Sequence, residues 1–188
     1  MEKTSRAQTS LSSYNNDWYK PGNIFKQLAW YIIGRLTINT YFPIPIFIKI
    51  SVLKMFGAKI GSNVIIKPKV NIKYPWFLII ENDIWIGENV WIDNLTTVTL
   101  CNNSCISQGA MLLTGNHDFK KTTFDLIVKP IRIESGAWIG TRATVCPGVV
   151  VHSHAVLTVN SVATKDLEAY GIYQGNPCTF IKTRNLTH

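Results

Sequence analysis

Residues 80–94 read Ile-Glu-Asn-Asp-Ile-Trp-Ile-Gly-Glu-Asn-Val-Trp-Ile-Asp-Asn, with isoleucine at 80, 86 and 92. That spacing of six decides the fold. Six helical residues turn a side chain by roughly 240°, so the three isoleucines of a helix would face three directions. A strand has a period of two, which divides six and keeps them on one side. Working outward, large aliphatics stand at Ile60, Ile66 and Ile72, and again at Leu100, Ile106 and Leu112. After a gap they resume at Ile133, Ile139, Val145, Val151 and Leu157, which makes fourteen in all. Four residues after each aliphatic the side chain is Ser, Thr, Ala or Val in eleven of the fourteen repeats, a second inward position. Three residues after, Gly, Asn or Asp occurs nine times, at Asn63, Asp83, Asn89, Asn103, Gly109, Gly115, Gly136, Gly148 and Asn160. These mark corners, where positive φ is cheapest. One unbroken strand of this length buries nothing. The hexads must fold back and stack as a solenoid, each repeat burying its apolar face against its neighbours.

Two-residue slips at 78–80 and 98–100 predict bulges or lengthened corners. The larger break, Asp118 to Arg132, has charge, Pro130 and no six-period, and reads as a loop extruded from the stack. Loops leaving rigid scaffolds often carry function. Ahead of the hexads, Asn23–Gly34 and Pro45–Phe56 read as short amphipathic helices, with Pro45 at a start and Gly57 past an end. Behind them, Gly175 and Pro177 are expected to block regular structure in a tail whose segment Thr179–Arg184 packs back on the last coil. The sections are therefore 1–59, a polar tail and helical cap; 60–166, the solenoid; and 167–188, the tail.

The chain has 188 residues, 46% apolar and 16% charged, enough for one domain with a real core and too ordered in composition for a disordered chain. Prolines 43 and 45 interrupt the oily N-terminal third, which excludes a spanning helix. The polar start, Met1 to Asn16, lacks the order of a signal peptide. Four cysteines without a CxxC pair suit reduced thiols and a cytoplasmic location. Cys101 and Cys105, four apart, read as turn and core residues, and no metal is expected. The net charge of +8 is uneven: residues 1–80 hold eleven basic side chains against Glu2 and Asp17, whereas residues 81–188 hold eight basic and nine acidic. An anionic partner is implied for the first part only. No nucleic-acid-binding motif accompanies the charge. An anionic membrane surface or a pyrophosphate-bearing substrate fits it, as does a merely solvated helical cap.

Hexads such as Ile86-Gly87-Glu88-Asn89-Val90-Trp91 and Ile139-Gly140-Thr141-Arg142-Ala143-Thr144 follow the order aliphatic–Gly–x–x–small–x. Together with Thr114-Gly115-Asn116-His117-Asp118, Pro147-Gly148-Val149, Ser161-Val162-Ala163-Thr164-Lys165-Asp166 and Gly175-Asn176-Pro177, they resemble the hexapeptide-repeat O-acetyltransferases. Those include the maltose and galactoside enzymes, and the resemblance is greatest to the colanic-acid-biosynthesis type. It runs from about Ile60 to Arg184. It implies a mainly β fold, a left-handed parallel β-helix of three hexads per coil. It also implies a homotrimer with active sites between subunits, acetyl-coenzyme A as donor and a sugar hydroxyl as acceptor. Handedness comes from the resemblance alone, since general crossover rules favour the opposite hand.

A hydroxyl is a poor nucleophile until its proton is taken, and histidine is the usual base. His117, just before the extruded loop, occupies the family's catalytic position; His152 and His154 sit within a regular hexad, and His188 ends the chain. The expected chemistry is direct, with His117 deprotonating the sugar and returning the proton to the leaving sulfur. Asp93 and Asn94 interrupt a hexad and either orient His117, hold acceptor hydroxyls, or simply form a turn. For the donor, the resemblance points to Trp138, Gly140 and Thr141 along the pantetheine arm, with Val159, Ala163 and Thr164 beside it. Lys165 and Lys182 suit the phosphates. Trp138 also reads as core or interface packing. Asp118 stands where the galactoside enzymes have proline, and Thr179 where they have arginine, so contacts are not copied from them in detail.

A γ-type carbonic anhydrase shares the solenoid, but its zinc needs a histidine spacing absent here. A nucleotidyltransferase needs a further domain. A non-catalytic scaffold needs neither His117 nor the donor-end motifs. The acceptor reads as a sugar of an exopolysaccharide or O-antigen precursor, lipid-linked at the inner membrane face. The alternative is a soluble oligosaccharide or nucleotide sugar.

Overall fold

A computed structural model describes residues 6–187; Met1–Ser5, with Glu2 and Lys3, and the terminal His188 lie outside it. The chain forms a mainly β, parallel solenoid of about six turns, preceded by two helices. Each regular turn gives one short strand to each of three parallel sheets. The first sheet stacks Lys59–Ile60, Leu78–Ile80, Val98–Leu100, Ile131–Ile133 and Val150–Val151. The second stacks Ile65–Ile66, Trp85–Ile86, Cys105–Ile106, Trp138–Ile139, Val156–Leu157 and Gly171–Gly175, and ends on Cys178–Thr183. The third stacks Asn71–Ile72, Trp91–Asp93, Met111–Leu113, Thr144–Val145 and Val162–Ala163.

Register follows the hexads. Ile60 pairs with Ile80, Ile66 with Ile86 and Ile72 with Ile92, each 20 residues on. After the extruded segment, Ile133 pairs with Val151 and Ile139 with Leu157, 18 residues on. The two extra residues of the early turns lengthen the corner between the third and first sheets. There Pro75–Phe77 makes a 3-10 turn before Leu78. All fourteen aliphatics of the six-period are buried, ten of them at 0% exposure, so the column is the core. Of the nine corner residues, eight have positive φ; Gly115 does not, because it begins the departing segment. Lys69, Arg142 and His154 hold equivalent corners at positive φ, which residue type alone does not reveal.

The helices are α1, Ile24–Thr37, and α2, Ile46–Met55. The Asn23 side chain accepts from the Phe25 N–H and starts α1. Gly34 does not stop α1, which runs three residues further. It lies against the Trp30 ring, where a Cβ would stand 3.0 Å from the indole. Trp30 Nε1 donates to the Ile72 carbonyl at 2.8 Å, and the buried Lys49 ammonium donates to the Ile66 carbonyl at 3.0 Å. The helices are thus tied to the first turn, whose backbone has no preceding turn to pair with.

Two expectations change. The segment expected as loop over 118–132 is largely a hairpin: Gly115–His117 pairs antiparallel with Leu126–Val128, and the stack resumes at Ile131. Gly175 and Pro177 do not block regular structure. They form the turn of a second hairpin, in which Gly175 faces Cys178, and Gly171–Gly175 extends the second sheet in parallel with Val156–Leu157. Arg184 then donates to the carbonyls of Gly136 and His154.

Candidate active site

His117 ends the first arm of the 115–128 hairpin, opposite Leu126. Its Nδ1 lies 2.9 Å from the Phe124 carbonyl oxygen. A carbonyl only accepts, so Nδ1 is the donor, and in the neutral imidazole Nε2 keeps the lone pair. The imidazole also stacks on the Phe124 ring, centroids 4.3 Å apart and planes 6° from parallel. Phe124 takes φ of +52°, a left-handed turn unusual for an aromatic residue. One residue thus holds both the face and the Nδ1 edge of the imidazole.

His117 lines a cleft of about 650 Å³ at the lengthened corner between the third and first sheets. Its floor is Lys73, Tyr74, Asp93 and Leu95, from the corners with two extra residues. Its cover is the N-terminal segment: Tyr14, Asn16, Tyr19 and Pro21 line the same space. That segment is anchored by the Ser10 N–H on the Thr122 carbonyl and by Trp76 Nε1 on the Pro21 carbonyl. The Tyr14 ring tilts against His117 at 5.6 Å. Sequence reasoning missed these covering tyrosines. Their signal was the two slips, which widen one corner and leave a gap for another segment to close.

Asp93 Oδ1 lies 3.0 Å from Lys73 Nζ, an ion contact. That approach lacks hydrogen-bond geometry, and among the described residues the buried Oδ1 has no hydrogen-bond donor. Burial, then Tyr74, then the Asp93 carboxylate hold the Tyr19 hydroxyl above its ordinary range; burial and Asp93 do the same for Tyr74. Both stay protonated donors: Tyr19 to the Leu95 carbonyl at 2.6 Å, Tyr74 to Gln27 Oε1 at 3.3 Å. Asn94 is fully buried and does not line the cleft. Its oxygen accepts from the Lys73 and Tyr74 N–H groups and its amide donates to the Tyr74 carbonyl. Neither Asp93 nor Asn94 touches His117 Nδ1, which is occupied by Phe124.

The donor-binding candidates fall on two corners. Trp138, Gly140, Thr141 and Val159 belong to the second strand column and the corner after it; Trp138 is exposed and donates to Ser107 Oγ at 2.8 Å. A Cβ on Gly140 would stand 2.7 Å from the Leu157 carbonyl, so this glycine serves contact between turns. Ala163 is buried in the third sheet, its methyl in the core. Thr164 and Lys165 are exposed at the corner after that sheet, which is the corner of His117 two turns earlier. Lys182 is exposed on the terminal strand of the second sheet. His152 and His154 stand at the remaining corner, the first beside Glu134 and the second stacked on Tyr170. Burial raises the four cysteine thiols above their ordinary range, which disfavours thiolate chemistry. Among the described residues no cluster of three His, Cys, Asp or Glu could hold a metal ion.

The β-solenoid has counterparts among acetyltransferases. The chain is 35% identical over 167 residues to WcaF of Escherichia coli, whose name assigns it to colanic acid biosynthesis as an acetyltransferase; the match spans 88% of this chain and 91% of that one. The chain belongs to the hexapeptide-repeat acetyltransferases, colanic-acid-biosynthesis type. It is also 29% identical over 139 residues to the galactoside O-acetyltransferase of Escherichia coli, 72% of this chain and 68% of that one. Its fold matches a hexapeptide-repeat acetyltransferase of Vibrio cholerae solved with acetyl-coenzyme A. The TM-score is 0.80 at 19% identity, over 93% of this chain and 96% of the other. No protein-family model matches the chain.

Proposed function

We propose that the protein transfers an acetyl group from acetyl-coenzyme A to a sugar hydroxyl of a surface-polysaccharide precursor, exopolysaccharide or O-antigen, with His117 as general base. The observation that carries this reading is the Phe124 carbonyl on Nδ1, which leaves Nε2 of the neutral imidazole as the acceptor of a side chain that lines the cleft. Nε2 takes the hydroxyl proton as the oxygen attacks the thioester carbonyl. The tetrahedral intermediate expels the coenzyme thiolate, and the imidazolium returns the proton to sulfur. The products are the sugar ester and the free thiol, and no covalent enzyme intermediate is required. Asp93, which lines the cleft, is the candidate to hold a second hydroxyl of the acceptor.

The donor candidates Trp138, Gly140, Thr141 and Val159 lie on a different edge of the solenoid from His117. Thr164 and Lys165 share its edge, and Lys182 stands on the last strand. A homotrimer that sets the first edge of one protomer against the second edge of its neighbour would unite them. We read the solenoid as left-handed, with three hexads per coil, and its sections as 1–59, 60–166 and 167–188. Among the described residues no helix is long and apolar enough to cross a membrane. We place the protein in the cytoplasm, with peripheral contact at the inner membrane face through its basic N-terminal part, and with no nucleic-acid partner. Thiol release from acetyl-coenzyme A with candidate sugars, wild type against His117→Ala, tests the chemistry; equal rates remove His117 from it. Co-sedimentation with anionic vesicles at low salt tests the membrane contact, and no binding removes it.

A further inference from the structure

We propose that a groove beneath α1 holds the apolar chain of an amphiphilic acceptor, so that the sugar presented to His117 is one carried on a hydrocarbon stem. This rests on the sugar-acetyltransferase reading above and adds a binding site for the stem of a lipid-linked acceptor. Two neighbouring stripes of α1 support it. Ile24, Leu28, Tyr31 and Arg35 line a groove of about 410 Å³, predominantly apolar, whose opposite wall includes Ile72 and Trp91 of the solenoid. Phe25, Leu28, Ile32 and Leu36, spaced three, four and four, share the adjoining face and stay exposed, Phe25 at 76%. A helix packed on a domain ordinarily keeps such a stripe inward, and exposed apolar patches mark sites of interaction.

The groove borders the catalytic cleft: Gln27, Lys73, Tyr74 and Asp93 line both. One end is therefore polar, with His117 and Asp93, and the other is apolar and open along α1. Sugar recognition needs convergent hydrogen-bonding groups, which the α1 end largely lacks and the cleft supplies. A molecule with a sugar head and a hydrocarbon stem matches that division; a free sugar leaves the groove unused. Charge agrees. From Trp18 to Ile80 the chain contains no Asp or Glu. Arg35 stands at the groove, 4.3 Å over the Tyr31 ring, and Lys73 stands where groove and cleft meet. Such a cationic frame attracts an anionic bilayer, the medium that would hold a hydrocarbon-linked acceptor.

The test titrates the full-length protein with methyl, hexyl and octyl glucoside, each below its micelle concentration, following tryptophan emission. Trp30 and Trp91 line the groove. Affinity is expected to rise with chain length, by about tenfold or more from methyl to octyl. Leu28→Glu, at an exposed position where folding is not at stake, flattens the series. Phe25→Glu, on the adjoining stripe outside the groove, preserves it. A flat wild-type series, as a second copy of the chain covering α1 would give, overturns the proposal; so does a chain-length dependence unchanged by Leu28→Glu. Failure of the underlying reading shows elsewhere. Absence of thiol release from acetyl-coenzyme A with every acceptor tells against the transfer chemistry, while the fluorescence series still decides the groove.

Discussion

Histidines stand on two edges of the solenoid and are held in opposite ways. On the edge between the third and first sheets, a backbone carbonyl and a stacked ring hold His117, and the ring borders a cleft. On the edge between the first and second sheets, His152 lies 3.2 Å from Glu134, whose Oε2 also accepts from the Ser153 N–H and hydroxyl. His154 fills the space above Gly136 and stacks on Tyr170, while its carbonyl takes a bond from Arg184. The second edge is a closed polar seam; the first is an open one. A nearby carboxylate does not by itself make a base. What matters is which nitrogen is occupied and what the other one faces.

The largest expected effect separates the two edges directly. His117→Ala should lower kcat for thiol release by about 10²–10⁴-fold with the fold intact, the range for losing a positioned general base. His152→Ala, in the same assay, should leave kcat within about twofold, in keeping with a substitution that touches only the seam. A similar loss in both would erase the distinction.

Next comes Asn94, which stands behind the open edge and shapes it. Asn94→Ala leaves the Tyr74 N–H at the lengthened corner without its acceptor, whereas the Lys73 N–H keeps the Ile92 carbonyl and the Tyr74 carbonyl keeps the Phe77 N–H. One unsatisfied buried donor costs about 1–3 kcal/mol, so a loss in that range is expected in urea unfolding. An unchanged midpoint would mean that the corner holds itself. Phe124→Ala sharpens the comparison further, because it removes the stacked ring and keeps the carbonyl. A loss of about tenfold in kcat with KM little changed is expected if the ring fixes the imidazole's orientation. Full activity would assign the orientation to the carbonyl alone.

How far the sequence speaks differs along the chain for a physical reason. The six-period is a repeated burial pattern, and burial acts on every turn alike, so Ile60 through Leu157 could be read without coordinates. His117 stood out as a candidate through its place beside a long insertion and through the family resemblance. Phe124 and Tyr19 were not, since nothing local marks a residue whose task is to meet another 7 or 76 positions away. Asp93 and Asn94 look alike as a pair, yet strand alternation sends one to the cleft and the other into the stack. Gly175 and Pro177 read as breakers; whether such residues end a strand or turn it back depends on the partner strand, here Gly171–Gly175 with Cys178–Thr183.

The two edges should also part at the extremes of pH. Tyr19 and Tyr74, raised by burial first and by the neighbouring Asp93, keep their protons in the fold when the tyrosines of the unfolded chain release theirs near pH 10. Their contribution is therefore present below about pH 10 and is lost as pH rises beyond it. Glu134 behaves oppositely: burial pushes its carboxyl up, but hydrogen bonds from His152 and Ser153 outweigh that and hold it below the ordinary glutamate range. Its contribution is present above about pH 4.3 and is lost as pH falls through its depressed value. Urea midpoints measured across pH should show Tyr19→Phe flattening only the alkaline limb and Glu134→Gln only the acid limb. Both groups are partly solvated, so each effect should stay below about 1 kcal/mol. If Glu134→Gln changed the alkaline limb, or Tyr19→Phe the acid one, the open and closed edges would not be electrostatically separate.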